Sequence, residues 1–182
     1  MGSLARALGI VDRIGVAAGW VAAACLVALT ALMFGEITTR ALSRVLSFMP
    51  ATIPVAWEYA SYLMGAAFMF GAATTLRHGG HIRVGILPQT LPPAALRVLE
   101  ILATAIGLYA CGFLALSLAE FAWDAFERGQ TSIASASPMW PPKAAIALGA
   151  AVLALQMAAR LVRVLLGLPA DAPRDVVSAP SD

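Results

Sequence analysis

The chain has 182 residues, 60% of them hydrophobic and 12% charged, with a mean hydropathy of +0.84 and a formal net charge of +2. That composition lies outside soluble globular usage and puts the chain in a membrane, with little left over for a soluble domain. No basic patch interleaved with aromatics occurs in a segment long enough to fold outside the bilayer, so nucleic acid is excluded as a partner.

A spanning helix needs roughly 20 predominantly apolar residues, and four stretches qualify: 14–35, 55–76, 94–118 and 144–166. The expected fold is an all-α integral membrane protein of four transmembrane helices with short loops. Residues 1–168 form its single domain, and residues 169–182, rich in Pro, Ala, Ser and Asp, form a disordered cytoplasmic tail.

The first stretch follows Arg6 and Arg13 but is too long for the h-region of a secretory signal, about 7–15 residues, so it is read as a retained helix. Gly15, Gly19 and Ala23 recur at a spacing of four and offer a small face for close helix approach. The first outer loop, Glu36 to Pro54, mixes Arg40 and Arg44 with Leu42, Val45, Leu46 and Phe48. It either extends the first helix or forms an interfacial helix.

The second stretch begins beside Trp57 and Glu58. An ionisable residue in a spanning segment is a functional hypothesis by default. Glu58, however, lies only about 5 Å along the axis at 1.5 Å per residue, at a helix N-terminus where a carboxylate is favoured. It is expected to be an interfacial anchor, paired with Arg40 or with a partner chain. The helix ends in RHGGHIRV, where Gly79 and Gly80 suit a C-cap and His81 and Arg83 alternate with Ile82 and Val84 at the headgroup level. His78 and His81 have no third ligand, so no metal site is expected, and two ligands three residues apart cannot straddle a haem.

Pro92 and Pro93 suit the first turn of the third helix, which carries Ala103, Gly107, Cys111, Ala115 and Ala119 as a second row of small residues. The following outer loop, Glu120 to Lys143, holds Trp123, Phe126 and Trp140, as in an aromatic belt. Pro138, Pro141 and Pro142 precede the last helix, where Gln156 sits near the middle and needs a partner on another helix. Cys25 and Cys111 fall inside apolar runs and pack as small hydrophobes.

Placing both termini in the cytoplasm puts eight of the twelve basic residues inside, leaving Arg40, Arg44, Arg128 and Lys143 outside. No catalytic set, phosphate loop or cofactor motif occurs, and the chain is not expected to be an enzyme or to hold a cofactor.

Arg40 after the first helix, PVAWEYASYLMGAAFMFGAA leading into HIRV, and PMWPPKAAIALGAAVLALQ around the start of the fourth helix stand in order along most of the chain. In these it resembles the small membrane subunit, DctQ-like, of tripartite ATP-independent periplasmic (TRAP) transporters. Many relatives follow the tryptophan with a pair of glutamates, where here Glu58 is followed by Tyr59; many have an acid after HxRV, where here Gly85 stands. The resemblance implies a four-helix scaffold in the bacterial inner membrane, companion to a large multi-spanning TRAP membrane subunit that carries substrate and sodium sites. A periplasmic substrate-binding protein serves the pair, and the cargo is an organic acid driven by sodium. Arg40, Trp57, Glu58, His81, Arg83, Trp140 and Gln156 are the candidate partner-interface or lipid-anchor residues. The alternatives are a self-sufficient homodimeric proton-coupled exporter using Glu58 and a membrane redox subunit using the two histidines.

Overall fold

The computed structural model describes residues 2–46, 52–53, 55–78, 92–133 and 135–169. Four helices account for most of them: α1 (Gly2–Leu42), α2 (Ala56–Arg77), α3 (Pro93–Glu127) and α4 (Trp140–Leu165). Among the described residues there is no β-strand, only an isolated antiparallel bridge between Thr131 and Pro138.

Three helices outrun the apolar stretches that mark them. α1 starts at Gly2 and continues through Glu36 to Leu42, so the opening part of the first outer loop is helical and Arg40 lies on it. Thr38 satisfies its hydroxyl on the carbonyl of Phe34 within α1, and Ser43, in the turn beyond, satisfies its own on the carbonyl of Arg40. α3 continues past Leu118 to Glu127, and Trp123 and Arg128 bond the carboxylates four positions away. α4 starts at Trp140, because Pro141 and Pro142 sit in the first turn, where a missing N–H breaks no helical bond. Within the first outer loop, 36–54, for which an interfacial helix is the alternative, residues 47–51 and 54 lie outside the described residues, as do 79–91, with His81 and Arg83, and 170–182.

The register follows from pairs of close residues. α1 runs antiparallel to α2, with Gly15 and Gly19 against Thr74 and Ala22 against Gly71. α2 and α4 run parallel, Gly65 beside Ile146 and Gly149 beside Met69. α3 is antiparallel to α4, Gly107 meeting Met157. In space the order is α1, α2, α4, α3, with a smaller contact between α1 and α4, and α3 packs on α4 alone among the helices.

Small residues set the closest approaches. A Cβ on Gly149 would stand 2.8 Å from the Met69 Cβ and 3.2 Å from the Phe70 amide nitrogen, so α2 and α4 touch backbone to side chain there. The buried core, Ala18, Ala22, Ala66 and Phe70, is packed around by Cys25, Ile146 and Val152. On α1 the buried face is Gly15, Ala18 and Ala22, while Ala23 is exposed. The expected row of small residues is thus right in kind and off by one position at its end.

The exterior is apolar. Trp20, Val27, Phe68, Ile106, Tyr109, Phe113 and Leu116 are all more than 60% exposed, an arrangement that water would not tolerate and that an acyl-chain environment suits. α1, α3 and α4 are long and apolar enough to cross a membrane. α2 is not among them, because Glu58, Ser61, Tyr62, Thr74 and Thr75 lower its hydropathy.

Candidate functional site

The charged and strongly polar side chains gather in two layers at the ends of the helices. At one end Asp12 of α1 accepts, on a single carboxylate oxygen, Arg163 Nη2 of α4 at 2.7 Å and Arg77 Nε of α2 at 2.9 Å. Arg160 of α4 bonds Glu100 of α3 at 3.2 Å. Arg97 of α3 donates to the Leu165 carbonyl at 3.1 Å, capping the end of α4. All four helices are tied into this arginine-rich end.

The opposite end is held by two carboxylates and a lysine. Glu36, 2% exposed, accepts Arg40 Nη2 at 2.9 Å and the backbone N–H of Ile53 at 2.7 Å, fastening the chain before α2 to the end of α1. Glu58 accepts the Tyr62 hydroxyl at 3.0 Å on one oxygen and the hydroxyls of Ser132 at 2.5 Å and Ser135 at 3.2 Å on the other. Ser132 and Ser135 belong to the loop joining α3 to α4. That loop turns at Gly129, whose φ of 56° suits glycine after a helix, and closes with Met139 N–H donating to the Gln130 carbonyl. Lys143 donates to Gln130 Oε1 at 2.9 Å and lies 3.8 Å from the Phe121 ring centroid.

Between the layers polar groups are few, and most of them bond to helix carbonyls. Thr30 and Thr104 donate to the carbonyls four residues back on their own helices. Thr74 donates to the Gly15 carbonyl at 2.7 Å, and Gln156 Nε2 to the Val11 carbonyl at 2.6 Å. The layers are about 28 Å apart along α2 from Glu58 to Arg77 and about 30 Å along α4 from Lys143 to Arg163 at 1.5 Å per residue, close to the roughly 30 Å of a bilayer's hydrocarbon core.

The family model for the DctQ component of tripartite ATP-independent periplasmic transporters matches residues 29–167. The chain belongs to this family. Comparison of this DctQ-family chain with curated proteins and with solved structures gave no match. The family is one of transporter components.

The interface candidates of the DctQ-family chain fall in different places. Arg40 pairs with Glu36 on its own helix and not with Glu58. Glu58 faces the α3–α4 loop inside the chain, so the expected pairing with Arg40 gives way to hydroxyl donors 74 and 77 positions away. Trp57, the second residue of α2, and Trp140, the first of α4, both stand exposed at that same end. Trp140 meets Phe126 edge-on at 5.5 Å between centroids. Gln156 is buried and bonded to α1, with its Oε1 lacking a hydrogen-bond partner among the described residues. His81 and Arg83 lie outside the described residues.

Sequence reasoning missed Asp12, Glu36, Ser132 and the Glu100–Arg160 pair of this DctQ-family chain. Glu36 and Arg40 carried a legible signal in their i,i+4 spacing. Asp12 carried a weaker one, as the only acid ahead of the first apolar run; its partners on α2 and α4 are visible only once the helices are assembled.

Proposed function

We propose that the chain is the small permease subunit of a sodium-driven, binding-protein-dependent TRAP importer of organic acids in a bacterial inner membrane. It acts as a scaffold for the large transport subunit and moves no substrate itself. The observation that carries this reading is the uncharged, unbroken course of the four helices between the two charge layers. Transporter cores place substrate and ions at broken helices near the midplane, whereas the four helices here run unbroken, with Thr30, Thr74, Thr104 and the Gln156 amide nitrogen donating to helix carbonyls.

α2 crosses the bilayer with the other three. It is sandwiched between α1 and α4, and its Glu58 and Arg77 stand in the same two layers as the charges of its neighbours. The arginine-rich end and both termini face the cytoplasm. At that end the described residues supply Arg6, Arg13, Arg77, Arg97, Arg160 and Arg163 against Asp12 and Glu100, the asymmetry that orients membrane helices. The other end, with Glu58 and the serine-bearing loop, then faces the periplasm and the binding protein.

Reconstitution tests this reading. The purified chain in liposomes accumulates no organic acid under a sodium or proton gradient, and uptake requires the large subunit together with the loaded binding protein. Gradient-driven accumulation by this chain alone would overturn the scaffold reading in favour of the Glu58 exporter.

A further inference from the structure

α3 packs on α4 alone among the helices, so most of its circumference is left to the surroundings. Glu100 and Gly107, seven positions apart and therefore on one face, meet Arg160 and Met157 of α4. Ile106, Tyr109, Phe113 and Leu116 recur at spacings of three and four on the far side and are exposed. Acyl chains suit the three apolar side chains but not Tyr109. It is 76% exposed, and its hydroxyl makes no hydrogen bond among the described residues. Along α3 it stands about 14 Å from Glu100 in one charge layer and about 18 Å from Phe121, which lies beside Lys143 in the other, at 1.5 Å per residue. That is farther than a phenol snorkels, so the hydroxyl faces hydrocarbon, where an unmet donor is costly.

Gly112 lies beside them, one turn from both Tyr109 and Leu116. Gly15, Gly65, Gly107 and Gly149 each mark a close approach to a neighbouring helix, whereas nothing lies within 4 Å of a Cβ added to Gly112. A glycine that meets only lipid lowers helix propensity and packs nothing; beside a partner helix it lets two backbones close. We propose that this face of α3 docks a transmembrane helix of the large TRAP subunit, which closes on the notch at Gly112 and offers an oxygen acceptor to the Tyr109 hydroxyl. The surface rests on the scaffold reading above and adds where the two subunits meet. A second copy of this chain fits less well, because across a two-fold axis the two Tyr109 hydroxyls pair with each other and one of their two protons is left without an acceptor.

The test uses the full chain, tagged, co-expressed with its large subunit, extracted in mild detergent and purified through the tag. Tyr109→Phe removes the hydroxyl alone and should lower the large subunit recovered about threefold, the loss of one interhelical hydrogen bond. Gly112→Leu, which fills the notch, should lower it further. Purified alone, both variants should melt no lower than the unaltered chain. A photoreactive benzophenone amino acid in place of Leu116 should give an adduct with the large subunit on illumination. Full recovery with both variants, or an adduct from position 116 only with lipid or with a second copy, would overturn this surface and leave the scaffold reading standing. So would a melt of the isolated chain lowered in step with recovery. If the unaltered chain recovers no large subunit, both readings fall together.

Discussion

Asp12 and Arg163, 151 positions apart, form a 2.7 Å ion pair that joins the start of the chain to the end of its last helix. Arg77 completes the contact from α2. One carboxylate therefore fixes the relative heights of three helices. Asp12→Asn removes the charge that both guanidiniums use and should cost about 1.5–3 kcal/mol, the range for hydrogen bonds to charged groups. A lowered thermal midpoint in detergent, accompanied by earlier proteolysis of the N-terminal segment, is the expected result, and an unchanged midpoint would remove Asp12 from the account of assembly.

Gly149→Ala places a methyl group where the Met69 Cβ and the backbone of Phe70 already stand. Neither neighbour is the free end of a flexible side chain, so α2 and α4 must separate, at about 1–3 kcal/mol for an overpacked contact. Gly112→Ala is the matched control, since nothing lies within 4 Å of its added Cβ. There the higher helix propensity of alanine should leave stability equal or up to about 1 kcal/mol higher. Equal behaviour of the two variants in a thermal melt would contradict the packing described.

Glu58→Gln keeps the shape of the acceptor and removes its charge, weakening the bonds from Ser132, Ser135 and Tyr62. The effect should be local. Hydrogen exchange of the amides of Ser132, Ala136 and Met139, which the loop's own carbonyls now hold, is expected to quicken, with little change in global stability. In the reconstituted three-part system, uptake should fall modestly and remain sodium-dependent. Complete loss of ion coupling with an intact loop would assign Glu58 a coupling role.

Cysteines introduced at His78 and Arg128 report on opposite ends of the bundle, while Cys25 and Cys111 are both partly buried within helices. In intact cells a membrane-impermeant maleimide should label position 128 and leave position 78 untouched until the membrane is opened. Labelling of position 78 from outside would reverse the proposed orientation.

Read alone, the sequence determined that this is a membrane protein of long apolar helices, because hydropathy is a local sum and lipid allows few other backbone solutions. It also carried the family, through the ordered motifs around Trp57, His81 and Trp140, and the prolines that open α3 and α4. It did not determine the helix ends. Polar residues such as Thr38 and Ser43, and Trp123, Asp124 and Glu127, satisfy their side chains within their own helices or turns, and hydropathy does not register that. The tertiary structure alone decided what each isolated charge meets. Asp12 finds Arg163, Glu100 finds Arg160, and Glu58 finds Ser132 through the antiparallel and parallel register of the helices. That register is set by close approach at Gly15, Gly107 and Gly149, and a contact between residues far apart in sequence leaves no periodic trace in the chain that makes it.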